Sequence, residues 1–177
     1  MRHTNIRRLV VVLGVVLTGT LAPLRADHDD EHERHEGQRL KPVPSGTYQE
    51  FCSLCHPAYH PALLPAKSWE KIVCSMKEHH GEELTLDAKV QQEILAFLQQ
   101  QAADKSTAEL PRKIMKSLRG ETPTRITDVP AIQREHRKLG DDVFKRKGIG
   151  SRANCAACHQ AAARGDFDED SVRVPRQ

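Results

Sequence analysis

Residues 52–56 read Cys-Ser-Leu-Cys-His, and residues 155–159 read Cys-Ala-Ala-Cys-His. Both match C-x-x-C-H, the pattern through which c-type haem is attached. The chemistry asks for that spacing. Two thiols separated by two residues reach the two vinyl groups of one porphyrin, and the adjacent histidine is placed under the iron as its proximal ligand. With 5 Cys and 10 His in 177 residues, one chance occurrence is expected in roughly 1 of 100 such chains, and two far less often. The motifs therefore assign Cys52, Cys55, Cys155 and Cys158 to covalent attachment of two haem c groups, with His56 and His159 on the irons. Two C-x-x-C pairs are also a zinc signature, but zinc leaves the histidine after each pair unexplained. A thioredoxin-like redox pair would want an α/β pattern, which this chain lacks.

Export agrees with that reading, because haem attachment takes place outside the bacterial cytoplasm. Residues 1–26 read as a cleaved secretory signal peptide, which predicts a periplasmic protein. Arg2, Arg7 and Arg8 form its basic start, and Ala26 precedes the first acid, Asp27. The apolar run Leu9–Leu24 is interrupted by Gly14, Gly19 and Pro23 and falls short of the ~20 residues needed to span a bilayer. The whole chain carries 27 Lys+Arg against 24 Asp+Glu, a formal charge of +3. Without the four arginines before Asp27 the balance is about −1, which argues against a nucleic-acid partner. Only 4% of residues are aromatic and 38% are hydrophobic. That is a poor supply for a protein-only core, and two porphyrins would fill the interior instead.

Four segments follow. After the signal, residues 27–46 read as a disordered His- and acid-rich arm. Its His28, His32 and His35 invite weak metal binding, although a solvated charged tail explains them more simply. Residues 47–104 form a first haem domain and residues 105–177 a second, each holding one motif. Apolar residues recur at helical spacing, and strand-like alternation is nearly absent, so the fold class is all-α. Ser68 is placed to cap a helix from Trp69 to His80, closed by Gly81. Val90, Ile94, Phe97 and Leu98 define a second helix. Ile114, Met115 and Leu118 give a short third one ended by Gly120, and residues 121–129 look extended. A further helix starts near Pro130 and carries Ile132, His136 and Leu139.

The second axial ligand decides the chemistry. No Met or His follows His159, so the second haem must take its distal ligand from upstream, where only His136 and Met115 are available. His136 shares the buried stripe of Ile132 and Leu139, which favours it. The first haem offers His60, Met76, His79 and His80. His60 is too close to His56 and to Pro61 to cross to the other haem face. On a wheel of 100° per residue the stripe centres on Trp69 and Met76, with His80 near that centre and His79 on its flank. Periodicity thus leans towards His80 and leaves the choice open.

At this point the residues carry a resemblance, over most of Thr47 to Arg176, to the bacterial dihaem cytochrome c family. The first part has Tyr48-Gln49-Glu50, the haem motif, Ala58-Tyr59, Leu63-Leu64-Pro65-Ala66, Ser68-Trp69, and His79 with Gly81 and Glu82. The second has Thr122-Pro123, Arg125-Ile126-Thr127, His136, Gly150-Ser151, Ala153-Asn154-Cys155, Cys158-His159, Gly165-Asp166-Phe167-Asp168 and Val172-Arg173. The resemblance implies two small helical haem domains, the first cytochrome c-like, and low-spin haems with histidine on both sides. It assigns His79 to the first haem and His136 to the second. The family usually has an aromatic residue where this chain has His80. Cys74 stands where a small residue is expected, and its plain reading is a small buried hydrophobe.

A carrier of single electrons follows, not an enzyme, because two histidines leave an iron no open position. The resemblance implies a small monohaem c-type cytochrome acceptor of the oxygen-binding sphaeroides haem protein type, and a membrane donor such as cytochrome b561. A dihaem subunit of a periplasmic nitrate reductase is the alternative, although its motifs usually lie nearer than the 103 positions from Cys52 to Cys155. A dihaem peroxidase would need a vacant iron and a longer chain. A cytochrome of the c4 kind would need a methionine after each motif.

Overall fold

Short helices separated by proline and glycine carry the described residues, 40–44 and 46–176, of the computed structural model. They are α1 (Thr47–Cys52), α2 (Ala66–Cys74), α3 (Ala88–Gln100), α4 (Glu109–Leu118), α5 (Pro130–His136) and α6 (Asp141–Phe144), with single 3-10 turns between them. No strand occurs among the described residues, only an isolated bridge between His79 and Glu82, so the all-α expectation holds. None of these helices is long and apolar enough to cross a membrane. The predicted signal peptide and residues 27–39 of the predicted arm lie outside the described residues.

The expected helix from Trp69 to His80 is shifted and shorter. Pro65 sets its start: the Pro65 carbonyl accepts from the amides of Ser68 and Trp69 at 2.9 and 3.2 Å, and its fixed φ suits a helix entry. Ser68 is therefore one turn inside α2. It is not a cap, and its Oγ is buried without a partner. Ser75 sets the end. Its amide bonds the Lys71 and Ile72 carbonyls, and its hydroxyl donates to the Lys71 carbonyl at 2.6 Å, competing with continuation of the ladder. α3 begins where its sequence says it should: the Asp87 carboxylate accepts from the Lys89 amide at 2.8 Å, an N-cap bond. α4 ends as expected, on left-handed Arg119 and Gly120 (φ 50° and 94°), after which the Glu121 amide bonds the Leu118 carbonyl at 2.9 Å. α5 stops at His136, so Leu139 lies beyond it.

α2 and α1 both pack against α3. α4 packs against the turns at Pro61–Leu63 and Ala103–Lys105 and against α5. The Ser117 hydroxyl, at 3.2 Å, receives the Ala131 amide and joins α4 to α5. The division expected at Lys105 leaves one C-x-x-C-H motif on each side, yet it is not a break in packing. Trp69, Val73, Ile94 and Leu98 share one buried cluster with Ile114, Leu118, Ile126 and Val129. Residues 137–176 hold little regular structure apart from α6 and three 3-10 turns.

The predicted arm does not run to Gly46. Leu40 and Val43 are buried. Their amides donate to the carbonyls of Gly165 and Ala163 at 3.2 and 3.4 Å, which fastens residues 40–44 beside the second motif. Gly165 has φ 78°, and a Cβ there would meet the Leu40 carbonyl oxygen at 2.2 Å, so only glycine allows this approach.

Candidate haem sites

The first motif leaves α1 at its C-terminus. Cys52 is the last helical residue, and the Ser53 amide bonds the Gln49 carbonyl at 3.0 Å. The chain then turns through exposed Cys55 to half-buried His56. The second motif is one tight turn, with the amides of Cys158 and His159 both donating to the Cys155 carbonyl, at 3.2 and 2.8 Å. The Asn154 side-chain amide donates to the Ile149 carbonyl at 2.9 Å and holds the loop that enters this turn. The Cys158 carbonyl accepts from the Arg173 amide at 2.9 Å, so the C-terminal tail lies against the motif.

Burial pushes Cys52 up to about 11 and also raises Cys155 and Cys158 above the ordinary thiol range, because loss of water disfavours the thiolate. Among the described residues no three His, Cys, Asp or Glu side chains gather to hold a metal ion by themselves, as a zinc site would require.

The histidines meet in two pairs. The His56 and His79 rings are 6.0 Å apart between centroids, with 21° between planes. The His136 and His159 rings are also 6.0 Å apart, at 65°. An ion held between two imidazoles at about 2 Å from each nitrogen, with roughly 1 Å from nitrogen to ring centre, calls for about 6 Å. The His56 Nδ1 lies 2.9 Å from the Pro57 carbonyl, and the His136 Nδ1 lies 2.8 Å from the Ile132 carbonyl. A carbonyl only accepts, so Nδ1 is the donor in each ring and the Nε2 lone pair is free for a metal. Burial, then the neighbouring imidazoles, lowers the His79 pKa. Burial, then His136, lowers that of His159 against the opposing charge of Asp166. Both are thereby held in the neutral, ligating form. The His159 Nδ1 is buried with no hydrogen-bond partner. The spacing of each pair and the Nε2 left free on His56 and His136 fit a haem iron between the rings.

The other candidates fall elsewhere. His79 opens a four-residue turn closed by paired bonds with Glu82, at 2.8 and 3.0 Å. His80 and Gly81 take its central places with φ 54° and 102°, the pattern of a type I′ turn. His80 is exposed, and its ring lies near the Thr124 backbone, not against His56. His60 has both nitrogens engaged, Nε2 with the Lys41 carbonyl at 2.8 Å and Nδ1 with the Ala62 amide at 3.1 Å. Met115 packs against the core. Cys74 is exposed at the end of α2 and is not the buried hydrophobe that its sequence position suggested.

Sequence reasoning gave no role to Tyr59 or Phe167. The Tyr59 ring stacks on His56 at 4.9 Å, and the Phe167 ring lies 5.6 Å from that of His159. Both face a cavity of about 290 Å³ that also touches His60, Leu63, Cys155 and Ala156. Each was present in the family-like stretches, but aromatic identity alone does not reveal a contact with a histidine far away in the chain.

The family model for dihaem cytochrome c matches residues 48–167. Among solved structures, the diheme cytochrome c from Rhodobacter sphaeroides is 35% identical, with a TM-score of 0.64, and the match covers 72% of this chain and 100% of that one. The diheme cytochrome type c from Shewanella baltica OS155 is 29% identical, with a TM-score of 0.61, and the match covers 76% and 96% of the two chains. No curated protein matches the chain.

Proposed function

Because this chain belongs to the dihaem cytochrome c family, an electron-transfer family with two covalently bound haem c groups, we propose that it is a periplasmic one-electron carrier with histidine on both faces of each iron. The observation that supports this reading is the pair of facing imidazoles at 6.0 Å in each half of the chain. Haem c supplies reversible one-electron chemistry when bound. The chain's own residues do the rest. Cys52 with Cys55, and Cys155 with Cys158, anchor the two porphyrins. His56 with His79, and His136 with His159, would hold the two irons. The Pro57 and Ile132 carbonyls fix ring orientation from behind and make the imidazoles better donors. Such sites have no vacant position for oxygen or peroxide, and without methionine ligands their potentials are lower.

The partners belong to the same reading. The acceptor is a small monohaem c-type cytochrome of the oxygen-binding sphaeroides haem protein type, and the donor is a membrane cytochrome b561. Between His136 and His159 the chain carries Arg137, Lys138, Lys145, Arg146, Lys147 and Arg152 against Asp141 and Asp142 alone, and most of these bases are exposed. That surplus favours an acidic partner face at the second haem.

Carbon monoxide tests saturation. The reduced holoprotein should bind it poorly and show negligible peroxidase turnover, whereas His136→Ala should admit it at one haem. Rapid stoichiometric binding by the unaltered protein would refute a saturated carrier.

A further inference from the structure

Tyr59 touches both haem motifs, which are otherwise far apart in sequence. Its ring stacks on that of His56 at 4.9 Å with 21° between planes. Its hydroxyl donates to the Ala153 carbonyl at 2.9 Å, across 94 positions. That carbonyl also anchors the turn that opens the second motif, because it accepts from the Cys155 amide at 3.0 Å. Tyr59 is itself held. Its carbonyl accepts from the Tyr48 hydroxyl at 2.7 Å, and the buried Tyr48 ring packs 5.5 Å from that of Phe97 on α3. A continuous series of contacts therefore runs from α3 through Tyr48 and Tyr59 to the attachment turn of the second haem, and touches the first proximal histidine on the way.

We propose that Tyr59 is a positioning residue that ties the plane of the His56 imidazole to the placement of the Cys155 attachment turn, so that one side chain sets the mutual orientation of the two haem sites. The inference rests on His56 being an axial ligand. A ring stacked face to face limits rotation of its neighbour, and a hydroxyl on a carbonyl that already anchors a turn limits where that turn can sit. Phenylalanine at this position keeps the first constraint and loses the second. Leucine loses both.

The test uses the mature two-haem protein with Tyr59→Phe and Tyr59→Leu, each checked for two covalent haems. Backbone hydrogen exchange is read at residues 153–159, and the low-spin EPR signal of the first haem reports the axial imidazole planes. Tyr59→Phe should speed exchange in that segment about fivefold, the change expected from one lost hydrogen bond, and leave the EPR signal unmoved. Tyr59→Leu should do both. Wild-type exchange rates in Tyr59→Phe, or an unmoved EPR signal in Tyr59→Leu, would overturn the proposal. A high-spin first haem in the unaltered protein would instead sink the ligand reading, while the exchange rates would still decide the tether.

Discussion

His79 and His80 are neighbours in sequence but occupy different places in one turn, and that decides which imidazole meets His56. His79 starts the turn and faces the His56 ring at 6.0 Å, whereas His80 sits at φ 54° near Thr124. His79→Ala should therefore turn the first haem high-spin, while His80→Ala leaves it low-spin; visible and EPR spectra of the two variants check this, and the reverse pattern would reassign the ligand. The helical wheel leaned towards His80 because it carried α2 through to Gly81. Ser75 ends that helix early through its hydroxyl and shared amide, and beyond it the 100° phase has no meaning. The same wheel placed His136 on a buried stripe, and there α5 persists to the histidine itself, whose Nδ1 reaches back to the Ile132 carbonyl. Periodicity pointed to the histidine that meets its partner ring only where the helix was real. Cys74 was misread for a related reason, since a helix end offers less cover than its interior.

α4 was legible from Ile114, Met115 and Leu118 because ten residues give nearly three turns of pattern. What it packs against was not, since pattern marks an apolar face and not its partner. Ile114 is 0% exposed and lies in one cluster with residues from both sides of Lys105. Ile114→Ala should cost about 2–5 kcal/mol, and guanidinium unfolding followed by far-ultraviolet dichroism should show a single transition moved to lower denaturant. Two transitions, only one of them moved, would mean that residues 47–104 fold apart from the rest. Trp69 tests the turn on which α4 rests. Its indole donates to the Pro61 carbonyl at 2.7 Å in a buried setting, and that carbonyl keeps the Leu64 amide at 3.4 Å, so Trp69→Phe should destabilise by roughly 0.5–1.5 kcal/mol through the one lost bond, measured as a lower unfolding midpoint. α1 and α6, at six and four residues, are too short to show a period. Residues 137–176 show little regular pattern because their shape rests on isolated bonds such as Asn154 to Ile149 and Arg173 to Cys158.

Across the whole molecule, charge is uneven although the total is small. The stretch between the second pair of histidines is strongly basic, whereas exposed Glu78, Glu82, Glu83 and Asp87 cluster about His79. Opposed charges steer encounter and are screened within about 10 Å at 0.1 M salt. Electron exchange with an acidic small cytochrome should slow as salt is added, and Lys145→Glu with Lys147→Glu should lower the rate and flatten that dependence. Stopped-flow mixing at several ionic strengths measures both. The central claim is that this chain's own histidines hold both faces of both irons. It is met most directly by the EPR spectrum of the fully oxidised holoprotein, integrated against its haem content. Two low-spin bis-imidazole signals accounting for both haems, with no high-spin component, are the predicted result. A high-spin iron, or an optical band diagnostic of methionine sulfur on iron, would contradict it.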